Sequence, residues 1–127
     1  MNGLPQFSRR ERQIIDILYA QGASTVMEVL RGLPDPPSDK SVRGLLEILE
    51  KKGHVRRRKR GRENVYSPTQ TRKRAGQQAL KHLLETFFDG SLDEAVVSHL
   101  QSPRSEVSDT ELDKLRSAID KARHEGR

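Results

Sequence analysis

Lys51-Lys52-Gly53-His54-Val55-Arg56-Arg57-Arg58-Lys59-Arg60-Gly61-Arg62 decides how this chain is to be read. Eight of these twelve residues are Lys or Arg and none is acidic. On its own such a run reads as a solvated or disordered tail. Here it follows an apolar-periodic segment, is broken by two glycines and leads into Asn64-Val65-Tyr66-Ser67-Pro68, a strand-compatible stretch. Together these features predict a cationic β-hairpin mounted on the end of a helix. Strands are expected over residues 54–58 and 64–67, around a loop 59–63 in which Gly61 takes a positive φ. Val55, Val65 and Tyr66 are expected on its inner face, and strand alternation would leave about half of the cations turned to solvent.

Outward from the run, helix starts are legible. Ser8 with Glu11, Thr25 with Glu28, Ser91 with Glu94 and Ser108 with Glu111 all fit the capping box, each before an apolar-periodic run. The first helix is expected from about Ser8 to Ala20, with Ile14, Ile15, Leu18 and Tyr19 inward and Gly22 after it. A second begins at Thr25 and buries Val26, Val29, Leu30 and Leu33 before Gly32, Pro34, Pro36 and Pro37 stop it. The third runs from Ser38 to about Lys52, with Val42, Leu45, Leu46, Ile48 and Leu49 inward and Lys40, Arg43, Gly44 and Glu47 sharing an exposed face. Beyond the hairpin, helices are expected from Thr71 to about Phe88, from Ser91 to Gln101 and from Ser108 to about Arg123. The fold class is therefore mainly α: three helices and a hairpin over residues 1–70, then a helical region over 71–127.

Bulk composition narrows the functions. Only 32% of residues are hydrophobic and 33% are charged, so a chain of 127 residues has a thin core and gains by pairing with a second copy. Without cysteine there are no disulfides, no thiolate chemistry and no Cys-based zinc site, which fits a reducing cytoplasm. Met1–Phe7 lacks an apolar signal core and no run is long enough to span a membrane, so neither export nor membrane insertion is expected. The net charge of +6 is unevenly placed: residues 1–68 hold 14 Lys/Arg against 8 Asp/Glu, and residues 69–127 hold 10 against 10. A basic head for a polyanion, joined to a neutral tail with another task, follows.

Three helices and a basic hairpin describe a winged helix-turn-helix, in which the third helix enters the major groove of DNA and the hairpin reaches the backbone or the neighbouring minor groove. Arg56, Arg57, Arg58, Lys59, Arg60 and Arg62 would neutralise phosphates. Arg43 can bond O6 and N7 of guanine together, although it could also pair with Glu47 on a solvated face. Ser38 suits a cap or a phosphate, and Thr25, Lys40, Ser41 and Gly44 complete the expected DNA-contacting set. Gly44 either admits a close approach of the DNA or is a tolerated defect. The apolar stripes of the tail, Leu80, Leu83, Leu84, Phe87, Phe88, Leu92, Val96, Leu100, Leu112, Leu115 and Ile119, are the expected dimerisation residues. Catalysis finds no support: His54, His82, His99 and His124 are scattered, no Gly-rich phosphate loop is present and each prominent serine precedes a helix. Neither cofactor nor metal is expected. Competing readings are an architectural DNA- or RNA-binding protein using the same basic hairpin, and a protein-interaction module.

With these residues in place, the chain resembles the penicillinase-repressor family, the BlaI/MecI/CopY-type transcriptional repressors. The likeness rests on Ser8-x-x-Glu11 with Ile14 and Leu18, Gly22-x-x-Thr25-Val26-x-Glu28-Val29, Leu46-x-x-Leu49-x-x-Lys52-Gly53-His54-Val55, Gly61-Arg62-x-x-x-Tyr66-Ser67-Pro68, Phe88-Asp89-Gly90-Ser91 and Ser108-x-x-Glu111-Leu112-x-x-Leu115. It implies a homodimer with interlocking C-terminal helices that binds a palindromic operator and represses transcription. In antibiotic-responsive members it implies release of the operator after cleavage of the repressor, initiated by a membrane sensor-peptidase. The chain departs from the family in the recognition helix, where Ser41-Val42-Arg43-Gly44 stands for the common Thr-Val-x-Thr and Ile48 for a frequent Arg. Tyr19 stands for a Trp, and Ser91-Leu92 for the Asn-Phe of cleaved members. The copper-responsive branch, with its C-terminal cysteines, is excluded.

Overall fold

A computed structural model describes residues 5–126. The Met1–Leu4 part of the segment read against an export signal lies outside them. The elements in order are α1 (Arg9–Gln21), α2 (Val26–Gly32), α3 (Asp39–Lys51), β1 (Val55–Arg60), β2 (Glu63–Pro68), α4 (Arg72–Phe87), α5 (Leu92–Gln101) and α6 (Asp109–His124). Two compact units divide between His82 and Leu83, within α4. The expected domain boundary at residues 70/71 lies just before the start of α4.

Local signals place the first helices. Ser8 and Thr25 each make a full capping box, with the side chain accepting from the third helical N–H and the glutamate accepting from the cap's own N–H. Ser91 and Ser108 cap α5 and α6 by half of that motif. At Ser91 the reason is visible: its N–H already donates to the Phe88 carbonyl at 2.8 Å, so Glu94 has no donor to reach back to. α3 ends in a Schellman motif, His54 N–H to Leu49 O at 2.9 Å and Gly53 N–H to Glu50 O at 3.0 Å. Gly53 closes it at φ 84°, a conformation that any side chain would strain.

The core belongs to the first unit. Ile14, Ile15 and Leu18 of α1, Val26 and Val29 of α2, Leu33, and Val42, Leu46 and Leu49 of α3 pack with Val55 and Tyr66 of the hairpin. Each fully buried aliphatic side chain contributes roughly 2 kcal/mol of transfer free energy. Tyr66 is thus a core residue, on the inner face of the hairpin. One expected core residue is not there: Ile48 is 45% exposed. The angle explains it, since at about 100° per residue Ile48 stands some 110° from the centre of the stripe formed by Val42, Leu45, Leu46 and Leu49.

The hairpin is longer and tighter than its sequence suggests. β1 and β2 pair antiparallel from Val55↔Pro68 to Arg60↔Glu63, which leaves only Gly61 and Arg62 in the turn. Gly61 has φ 66° and Arg62 is not among the positive-φ residues, the sign pattern of a type II′ turn with Gly in its preferred first position. On its other edge β2 pairs with Ser24, through Ser24 N–H to Tyr66 O at 3.0 Å and Tyr66 N–H to Ser24 O at 2.8 Å. At its base Thr69 donates twice, from Oγ1 to Gly53 O at 2.8 Å and from N–H to His54 O at 3.1 Å. The hairpin is therefore tied both to the α1–α2 connection and to the end of α3.

The second unit has no comparable core. None of α4, α5 and α6 contains a buried residue. Asp89 and Gly90, both at positive φ, end α4, with Gly90 N–H reaching back to Leu84 O at 2.8 Å. Among the described residues, no helix is long and apolar enough to cross a membrane.

Candidate nucleic-acid interface

α3 is held at both ends by adjacent residues of α1. Arg10 donates from its guanidinium to Pro34 O at 2.8 Å and to Asp35 O, gripping the loop that leads into α3. Asp35 sits there at φ 45°, in the left-handed region that Asp and Asn enter more readily than other non-glycine residues. Glu11 accepts from Lys52 Nζ at 3.4 Å at the far end of α3, while accepting from Ser8 N–H at 2.9 Å. The carboxylate is almost wholly buried. The Ser8 N–H, supported by Lys52, holds its pKa below the ordinary value against the opposing effect of burial.

The buried stripe of Val42, Leu46 and Leu49 fixes which side chains of α3 face outward. Lys40, Ser41, Arg43, Glu47, Ile48 and Lys51 are exposed, and Gly44 is half-buried among them. Ser38 caps the helix, accepting from Ser41 N–H at 3.1 Å, and its hydroxyl also donates to the Ser41 hydroxyl at 3.1 Å. Arg43 pairs with Asp39 at 4.0 Å, one turn back, where pairing with Glu47 was the sequence alternative. Both partners are more than half exposed, so the pair is easily exchanged for a stronger acceptor. Thr25 is buried; its hydroxyl accepts from Glu28 N–H at 3.2 Å and its N–H donates to Glu28 Oε1 at 2.8 Å.

The structure also addresses Gly44. A Cβ built there meets nothing within 4 Å, and its φ is not in the left-handed region, so the fold itself does not require glycine. Gly44→Ala is expected to stabilise the protein by about 1 kcal/mol through helix propensity. It is also expected to weaken duplex binding, because the new methyl stands on the outward face. Thermal melting and fluorescence anisotropy with labelled DNA measure the two effects. An alanine variant that is more stable and binds equally well would show that DNA does not come close at this turn.

Arg56–Arg60 are all exposed, and along β1 their side chains alternate between the two faces of the hairpin. Arg57 lies 3.6 Å from Glu50 of α3, and Arg60 lies 3.6 Å from Glu28 of α2. Arg56, Arg58, Lys59 and Arg62 have no carboxylate partner among the described residues. Glu28 thus serves twice, in a capping box and as counterion. The Thr25 N–H first, and Arg60 after it, lower its pKa. The Arg60–Glu28 pair and the grip of Arg10 join residues far apart in sequence, and no local motif announces these contacts or the Arg57–Glu50 pair.

The arrangement can attract and position a polyanion. Among the described residues no group of three His, Cys, Asp or Glu side chains could hold a metal. A three-helix unit with an outward third helix and a rigidly based cationic hairpin defines a winged helix-turn-helix protein.

The chain matches the family model described as penicillinase repressor over residues 7–121. It belongs to that family of DNA-binding transcriptional repressors, which are not enzymes. The penicillinase repressor of Bacillus licheniformis is 26% identical over 117 residues, covering 91% of this chain and 90% of that one. Among solved structures, the solution structure of monomeric Bacillus licheniformis BlaI in complex with the blaP half-operator is similar at 30% identity and TM-score 0.45, over 54% of this chain and 85% of that one. Bordetella bronchiseptica BpsR, whose DNA binding is regulated by 6-hydroxynicotinic acid, is similar at 16% identity and TM-score 0.49, over 96% of this chain and 78% of that one.

Proposed function

We propose that the chain represses transcription in the cytoplasm as a homodimer on a palindromic operator, with residues 1–70 contacting DNA and residues 71–127 forming the dimer. The observation that carries the first half is the joint placement of α3's outward face and the unpaired cations of the hairpin, on a unit whose parts are fixed to one another. Arg43 and Ser41 read base edges, Lys40, Ser38 and the hairpin cations hold phosphates, and Thr25 secures the start of α2 beneath them. The homodimer is supported by the tail. α5 and α6 are amphipathic by sequence yet bury no residue, and helices of ten and sixteen residues gain little stability without packing of their apolar faces. Leu80, Leu83, Phe87, Leu92, Leu100, Leu112, Leu115 and Ile119 are exposed, while Leu84, Phe88 and Val96 are half-buried. A second copy offers the same stripe, and a two-fold dimer matches a two-fold operator.

Release by signal-dependent proteolysis, initiated by a membrane sensor-peptidase, belongs to the same proposal. Its support is the turn between α4 and α5, where Asp89 and Gly90 are exposed and at positive φ. Selection of bound sites from a random DNA pool tests the operator reading. The expected result is an inverted repeat, bound by two copies of the chain and preferred over random duplex by about 10³-fold or more. Uniform binding to all sequences would instead establish an architectural protein.

A further inference from the structure

Ile48 is the one large apolar side chain exposed on α3. It shares its strip of the helix with Gly44, four residues before it, and Ser41, seven before it. A helical side chain leans toward the N-terminus, over the preceding turn. For Ile48 that turn carries Gly44, where even a Cβ would meet nothing within 4 Å. An apolar side chain therefore stands beside an open notch on the helix face that the proposed function turns toward DNA. The other large outward residues, Lys40, Arg43, Glu47 and Lys51, are charged: the three cations suit phosphates or guanine, and Glu47 can only accept hydrogen bonds. Ile48 can offer no hydrogen bond. The one apolar feature that a base pair presents in the major groove is the 5-methyl group of thymine.

We propose that Ile48 is a specificity-determining residue that selects thymine by packing against its 5-methyl group, with Gly44 leaving room for the base edge. This rests on the DNA-reading proposal above and adds to it one base preference per half-site. The chemistry is narrow: the contact is lost when thymine becomes deoxyuridine, which removes only the methyl and leaves every hydrogen-bonding group in place.

The test uses the full chain and the duplex selected from the random pool, with deoxyuridine replacing each thymine in turn. One thymine position per half-site is expected to show about a fourfold loss of affinity for the wild type, the equivalent of one buried methyl group. Ile48→Ala, folded as judged by its melting curve because the side chain is exposed, is expected to be indifferent to deoxyuridine at that position and to keep the wild-type response elsewhere. A preferred sequence whose deoxyuridine profile is the same for wild type and variant would overturn this inference alone. A pool that yields no preferred sequence would overturn the operator reading, and this inference with it.

Discussion

Replacing Arg58, Arg60 and Arg62 with alanine is expected to weaken binding to every duplex alike and to flatten its dependence on salt. Each phosphate contact contributes about 0.9 to the slope of log K against log salt, so losing three lowers that slope by about 2.7. Near 0.1 M salt the same term corresponds to a loss on the order of a hundredfold or more. Arg58 and Arg62 have no carboxylate partner among the described residues, and removing Arg60 also exposes the Glu28 carboxylate to the approaching phosphates. All three side chains are exposed and outside the core, so the fold should persist. The preference for a selected site over random DNA should survive, because the hairpin supplies attraction and α3 supplies choice. A loss confined to one sequence would count against a phosphate-holding hairpin.

The second large effect concerns the tail. Serine at Leu112, Leu115 and Ile119 is expected to convert the dimer to a monomer, seen by sedimentation velocity at concentrations where the wild type pairs. Each substitution gives up roughly 2 kcal/mol of apolar burial in each copy, more than a small interface can spare. Melting of the first unit should be unchanged, because its core contains none of these residues. Affinity for the full palindrome should then fall to that of a single half-site, a loss of about 10²–10⁴ as linked binding becomes independent. Persistence of the dimer would rule out α6 as the interface.

Features written in short stretches of sequence were readable in advance. The two full capping boxes, the glycine that ends α3 and the hairpin with Gly61 at its turn all emerge from neighbours within a few residues. Pairings between distant segments were not. Nothing near Arg10 announces that its guanidinium will bond the carbonyls of residues 34 and 35, and nothing near Glu50 names Arg57 over the adjacent cations. Ile48 failed for a different reason: residue type suggested the core, whereas its angular position on the helix put it outside. In the tail the stripes were legible, but a stripe states only that something covers it. What covers it is not written in the stripe; in the proposed dimer it is a second copy.

Arg10 and Glu11 hold the two ends of α3 from beneath, and neither grip involves a residue on its outer face. On the proposed function, affixing the helix and reading with it thus fall to separate residues. Ser41, Arg43, Gly44 and Ile48 can be exchanged without disturbing either grip or the core stripe of Val42, Leu46 and Leu49. On that proposal, a lineage carrying this scaffold could change the sequence it prefers by single substitutions that leave the core and both grips intact, so recognition can drift while the architecture stays.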